Sequence, residues 1–263
     1  MTVEKRALLA VSFGTSHAGT REKTIGAIEQ DIAERYPEYE VRRAFTSGMI
    51  LKVLEKRDGI IIDNVAEAMN RLISDGFDEV LVQPTHVIPG DEYDAMVGDV
   101  MMFEDRFDKI TIGTPLLYST EDYQQVIRAV MEQFPDLSDR EALVLMGHGT
   151  EHQINAAYPA LDYHFKDMGY PNVFVGTVEG YPEVHTVLKM VEAYKPERVV
   201  LLPLMVVAGD HAVNDMAGDE EDSWKNIFEK AGFEVDCILK GLGEFPQIRD
   251  IYLKHIADAL EQD

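Results

Sequence analysis

The chain has 263 residues, with 24 Lys and Arg against 48 Asp and Glu and a formal net charge of −24 at pH 7. That length and a 46% hydrophobic content suit a globular protein with a sizeable core, and the negative field disfavours nucleic acid and membrane surfaces as partners. The single cysteine, Cys237, excludes an intrachain disulfide and any cysteine-based zinc or iron–sulfur centre.

The first apolar run, Ala7–Phe13, reads as a strand. It is too short for a signal-peptide core, and no stretch approaches the roughly 20 apolar residues that span a bilayer, so a cytoplasmic protein is expected. A helical pattern over Thr20–Tyr36 leads to a strand at Tyr39–Ala44, a helix at Asn64–Asp75 and strands at Glu79–Val87 and Lys109–Gly113. Beyond a helix at Ser119–Phe134 come strands at Ala142–Gly147 and Asn172–Val178, then a helix at Pro182–Tyr194. A strand at Arg198–Val207, a helix at Asp222–Ala231 and a strand at Glu234–Leu239 follow. Continuous apolar strands such as Leu143–Met146 suit a parallel sheet buried on both faces, and the alternation predicts a doubly wound α/β fold.

Two landmarks recur in the same order. Ala7–Ser16 (ALLAVSFGTS) resembles Ala142–Glu151 (ALVLMGHGTE), and Asp78–Asp91 resembles Glu197–Asp210. The repeat predicts two similar α/β domains, 1–135 and 136–263, with the last helix free to pack back on the first. A ligand site is expected in a cleft between them, at the carboxyl ends of the strands.

Three ionisable residues of the second half lie just past predicted strand ends: His148 between two glycines, Glu179 before Gly180, and His211 in Ala208-Gly-Asp-His211. Two imidazoles and a carboxylate with open positions make a site for a divalent cation that still admits a reactant. His148 and His152 form a competing pair four residues apart, although Gly149 disfavours the helix that pairing needs. Glu92 occupies the repeat position of His211; it either receives protons or holds a cation, or else favours the start of the following helix through its dipole. Ser12-Phe13-Gly14-Thr15 opens a loop with hydroxyls and backbone N–H groups suited to an anion, but it lacks the Lys of a nucleotide-binding P-loop. His86 is expected as a neutral core histidine, and His17, His164, His185 and His255 as surface or packing residues.

Several segments together resemble the anaerobic-type sirohydrochlorin cobaltochelatases, the CbiK type. They are Ser12–Ser16, Gln83–Tyr93, Met146–Thr150, Gly176–Gly180 and Pro203 with Ala208–Met216, and the similarity spans nearly the whole chain. The resemblance implies a chelatase-like fold and ATP-independent insertion of Co²⁺ into sirohydrochlorin or precorrin-2 during cobalamin synthesis. It also implies no organic cofactor, cobalt as substrate, and a homo-oligomer as found among relatives. By motif, His148, Glu179 and His211 match the family's cobalt ligands and Glu92 an acidic residue implicated in the reaction. His148, His211 and Glu92 are then the catalytic candidates, with Phe13 and Tyr93 as walls against the macrocycle. Imidazoles bind metal only when deprotonated, so activity is expected to fall below about pH 6.5. A sirohaem-forming ferrochelatase, a tetrapyrrole or metal carrier, and a two-domain small-molecule binding protein are the alternatives. A further expectation follows from the net charge: a polycarboxylate substrate needs local cations, for which Arg21, Lys23, Arg42, Arg43 and Lys52 are the candidates.

Overall fold

Leu-, Val- and Ile-rich segments form eight strands in the computed structural model, which describes residues 4–262. They are β1 (Arg6–Ser12), β2 (Glu40–Phe45), β3 (Glu79–Pro84), β4 (Lys109–Ile112), β5 (Glu141–Gly147), β6 (Val173–Thr177), β7 (Arg198–Pro203) and β8 (Glu234–Cys237). Each falls on a segment expected to be a strand. Three expected strands end two or more residues early, β3 at Pro84 rather than Val87, β7 at Pro203 rather than Val207 and β8 at Cys237 rather than Leu239. A proline closes the regular strand at the same place in both copies of the repeat, although the next N–H, of Thr85 and of Leu204, still bonds the neighbouring strand.

All pairing is parallel, in two four-stranded sheets of orders β2-β1-β3-β4 and β6-β5-β7-β8. The two orders are the same topology, so the sequence repeat is a repeat of fold. In each sheet the connections reverse direction beside the first strand of the repeat, which places the switch point between β1 and β3 and between β5 and β7.

The helices are α1 (Ala18–Arg21), α2 (Ala27–Arg35), α3 (Gly48–Val53), α4 (Val65–Ser74), α5 (Asp91–Met101), α6 (Thr120–Met131), α7 (Ala157–Asp167), α8 (Val184–Tyr194), α9 (Trp224–Lys230) and α10 (Pro246–Gln262). A π-type turn over Glu22–Gly26 joins α1 to α2. Asn64 with Glu67 and Ser119 with Asp122 form capping boxes that start α4 and α6. Apolar faces of α4 and α5, including Met69, Leu72, Met96 and Val100, pack on Leu9, Val80 and Val82 of the first sheet. Val187, Val191, Trp224 and Phe228 play the same part against Val144 and Leu201 of the second.

One unit comprises the described residues up to Tyr118 together with the chain from Pro246 onwards; the other is Ser119–Phe245. The boundary thus falls at Tyr118 and Ser119 rather than near Pro135. Helix α6 belongs to the second unit, where the ring of Tyr123 stacks on His164 of α7 at 5.3 Å. Helix α10 belongs to the first: Ile248, Ile251 and Ile256 are buried, Arg249 pairs with Asp31, and the Tyr252 hydroxyl donates to the Thr85 carbonyl at 2.9 Å.

Candidate metal centre

His148, Glu179 and His211 are brought together in the second unit, with one ligand atom of each lying within 4.8 Å of the others. Among the described residues it is the one such group of three or more His, Cys, Asp or Glu side chains. Backbone bonds extend the sheet past its formal ends. The N–H of Val178 donates to Gly147 O (3.0 Å), that of Glu179 to His148 O (2.8 Å) and that of Leu204 to Met146 O (2.8 Å). The exits of β5 and β6 are therefore held side by side, and β7 delivers His211 from across the switch point.

Gly149 makes the close approach feasible. Its φ is +85°, and a Cβ there would lie 2.6 Å from Gly180 N, so only glycine fits between the two loops. Asn155 ties them: its Oδ1 accepts from Thr150 N–H (3.1 Å) and its Nδ2 donates to Tyr181 O (2.6 Å). The buried Tyr158 hydroxyl accepts from Gly149 N–H at 3.4 Å, and burial pushes this phenol up to about 12.

The rings of His148 and His211 meet edge to face, with centroids 4.7 Å apart. His148 Nδ1 lies 2.9 Å from Gly149 O and 3.8 Å from Glu179 Oε2, and His211 Nδ1 lies 2.7 Å from Asp215 Oδ2. Where a ring donates Nδ1–H to an oxygen, its Nε2 lone pair is left for a cation. Two such nitrogens and a solvent-facing carboxylate form a borderline-soft donor set that binds first-row divalent ions reversibly. Asp215 and Asn155 were not singled out from sequence. The His211-x-x-x-Asp215 spacing was an available signal for the first, whereas nothing local marks Asn155.

The first unit repeats this backbone without the ligands. Thr46 N–H donates to Ser12 O (2.9 Å), Ser47 N–H to Phe13 O (3.2 Å) and Thr85 N–H to Val11 O (2.8 Å), bond for bond as in the second unit. Phe13 and Ser47 thus stand where the second unit has His148 and Glu179, and Glu92 stands in the repeat position of His211. Phe13 is 46% exposed, while Tyr93 is partly buried against the core. Glu92 lies exposed in the acidic first turn of α5, as helix-dipole stabilisation also favours. Ser12 and Thr15 are buried. The Ser12 hydroxyl bonds that of Thr85 at 2.8 Å, and Thr15 Oγ1 accepts from His17 N–H at 3.2 Å. A Cβ on Gly14 (φ +100°) would press on the ring of Phe45.

Other candidates are placed differently. His152 caps the turn that follows it, its Nδ1 accepting from Ile154 N–H at 3.2 Å, and it does not join the cluster. His86 is neutral, but not a satisfied core histidine: both ring nitrogens are turned inward with no hydrogen-bond partner, and burial pulls the imidazole down to about 4. Arg42 pairs with Glu40 and Asp75, and Arg43 with Glu29. Both line a groove of about 610 Å³ beside the edge strand β2. No helix among the described residues is long and apolar enough to cross a membrane.

Residues 6–261 match the family model described as cobalt chelatase (CbiK). The chain is 45% identical over 256 residues to the sirohydrochlorin cobaltochelatase of Salmonella typhimurium, covering 97% of each protein. It is 32% identical to the sirohydrochlorin cobaltochelatase CbiKC of Nitratidesulfovibrio vulgaris, covering 99% of this chain and 92% of that one. Among solved structures, the cobalt complex of the sirohydrochlorin chelatase SirB from Bacillus subtilis subspecies spizizenii superposes with a TM-score of 0.65 at 13% identity. That match covers 98% of this chain and 96% of the other and shows a shared fold.

Proposed function

This chain belongs to the cobalt chelatase (CbiK) family, and on that premise we propose that it inserts Co²⁺ into sirohydrochlorin in cobalamin synthesis, without ATP. The observation that carries the reading is the His148–Glu179–His211 cluster within 4.8 Å, at the strand ends of a protein so similar to a named cobaltochelatase. Insertion exchanges two pyrrole N–H protons for one divalent cation. The protein must hold the ion with replaceable ligands, expose the ring nitrogens' lone pairs and take up the protons.

In this reading His148, His211 and Glu179 hold the incoming ion. Imidazole nitrogens bind cobalt well at neutral pH yet release it to four macrocycle nitrogens, as thiolates would not. Each pyrrole N–H bond breaks as a cobalt–nitrogen bond forms, and the protons pass to Glu92 and to an imidazole freed of metal. Phe13 offers an aromatic face to the macrocycle, with Tyr93 beside Glu92. The backbone of Ser12, Gly14 and Thr15 supports that face, since the Ser12 hydroxyl is engaged by Thr85 past β3 and that of Thr15 by His17 N–H. Cobalt is a substrate, and the reaction needs no organic cofactor. Cytoplasmic residence and a homo-oligomeric state accompany this proposal.

The test is a spectrophotometric metallation assay of sirohydrochlorin with Co²⁺, Fe²⁺ and Ni²⁺, run on wild type, His148→Ala and His211→Ala. Wild type is expected to turn over fastest with Co²⁺, and each variant to lose at least about 100-fold in rate. Equal rates in the three proteins refute the site. Tetrapyrrole binding without metallation makes the protein a carrier, and preference for Fe²⁺ makes it a sirohaem enzyme.

A further inference from the structure

Strands β2 and β6 occupy the same edge of the two sheets, and the second unit shows how such an edge is closed. Asp162 Oδ1 of α7 accepts from the outward N–H of Val175 at 2.9 Å, and Lys166 Nζ of the same helix donates to the outward carbonyl of Val173. All five residues of β6 are buried. A sealed edge offers no template to another strand.

The first unit lacks that seal. Leu8 pairs with Val41 and its repeat counterpart Leu143 with Val173, so Val41 and Arg43 stand where the second unit has Val173 and Val175. The ladders close alike at their carboxyl ends: Phe45 N–H donates to Asp63 O (3.0 Å) as Thr177 N–H does to Pro182 O (2.7 Å). Below that bond they differ. Glu29 of α2 accepts from Arg43 Nε at 2.7 Å and so engages the side chain, not the backbone. Among the described residues, no group bonds Arg43 N–H or Val41 O, which share the outward side with Phe45 N–H. Glu40 is exposed and Val41, Arg42 and Arg43 are half-buried, and the 610 Å³ groove opens along them, with Ile61, 79% exposed, in its lining. Unpaired donors and acceptors on an accessible edge take up a further strand.

We propose that this open edge is a self-association surface, through which two copies pair their β2 strands antiparallel about Val41 and join their first sheets into one. Charge selects both the partner and the register. Two copies that each carry −24 repel, so they meet only where charge alternates, as it does along Glu40-Val41-Arg42. A two-fold axis at Val41 lets that residue exchange both backbone bonds with its counterpart. It also sets Glu40 of each copy directly opposite Arg42 of the other, on the same face, giving two opposite-charge pairs. The adjacent register, with the axis at Arg42, sets that arginine against itself and is repulsive. The pairing goes beyond the chelatase reading and names the surface for the homo-oligomer that accompanies it.

Sedimentation equilibrium of the full chain from about 1 to 100 μM tests it, on wild type, Glu40→Arg, Arg42→Glu and an equimolar mixture of the two variants. Wild type is expected to reach twice the mass of one chain. Each variant alone sets like charges opposite one another, and its dissociation constant should rise at least about tenfold. The mixture restores opposite charges at both positions and should dimerise within about threefold of wild type, which also shows that both variants are folded. A wild type that stays monomeric across the range overturns the proposal and leaves the edge to an extended segment of another protein. Dimers that both variants retain place the contact elsewhere, and a mixture no more associated than its components refutes the register; either result rejects the pairing. No tetrapyrrole or metal enters the measurement, so its failure is distinct from failure of the chelatase reading.

Discussion

His211 Nδ1 lies 2.7 Å from Asp215 Oδ2, a contact that fixes the ring's orientation and tautomer with Nε2 directed away. Asp215→Asn should therefore leave the fold intact and weaken Co²⁺ binding by about 10- to 100-fold, which a cobalt absorption titration would read. Gly149→Ala addresses the neighbouring constraint. The positive φ and the overlap with Gly180 N should cost more than about 2 kcal/mol, seen as a lower denaturation midpoint, and should scatter His148 from Glu179. The three clustered residues were readable in the sequence because each is an ionisable side chain beside a glycine or a strand end, a purely local pattern. Asn155 was not. It acts by bonding a carbonyl and an N–H of two loops, and a polar residue on a turn carries no mark of its target.

At the level of elements, the eight strands were legible because apolar continuity is a strong signal, and the repeat predicted that both halves would share one topology. The expected ends of β3 and β7 ran too far because hydrophobicity continues beyond Pro84 and Pro203, where the regular ladder stops although Thr85 and Leu204 each still bond the next strand. Helix α10 shows what pattern alone leaves out: its partners Thr85 and Asp31 lie far away in sequence. Tyr252→Phe leaves the packing but deprives the buried Thr85 carbonyl of its donor, and should destabilise the first unit by about 1–3 kcal/mol in urea unfolding. His86, in the loop leaving β3, gives that unit an acid-sensitive point. Its folded pKa, about 4, is below the usual histidine value, so the unfolded chain binds the proton more readily. Stability from neutral His86 is complete above about pH 6.5 and is lost as pH falls towards 4, with a span of roughly 3 kcal/mol. In thermal melts His86→Leu should match or exceed wild type at pH 7 and lose less between pH 6.5 and 4.

Across the whole molecule, the unit boundary escaped the sequence because an amphipathic helix such as α6 carries no label for the sheet it will cover. The second unit is one continuous stretch, Ser119–Phe245, and holds all three clustered residues. Produced alone, it should melt cooperatively and keep Co²⁺ affinity within about tenfold of the intact chain, yet show no metallation, since the proposed Phe13 and Glu92 are gone; calorimetric Co²⁺ titration and the metallation assay check both halves of that expectation. Helix α10 also carries a consequence for the order of synthesis. The first unit's strands leave the ribosome early, but the helix that buries Ile248, Ile251 and Tyr252 against them is translated only after the whole second unit. The half of the protein made first is thus the half that finishes folding last, and a nascent chain can close the half that holds His148, Glu179 and His211 while the other still waits for its final helix.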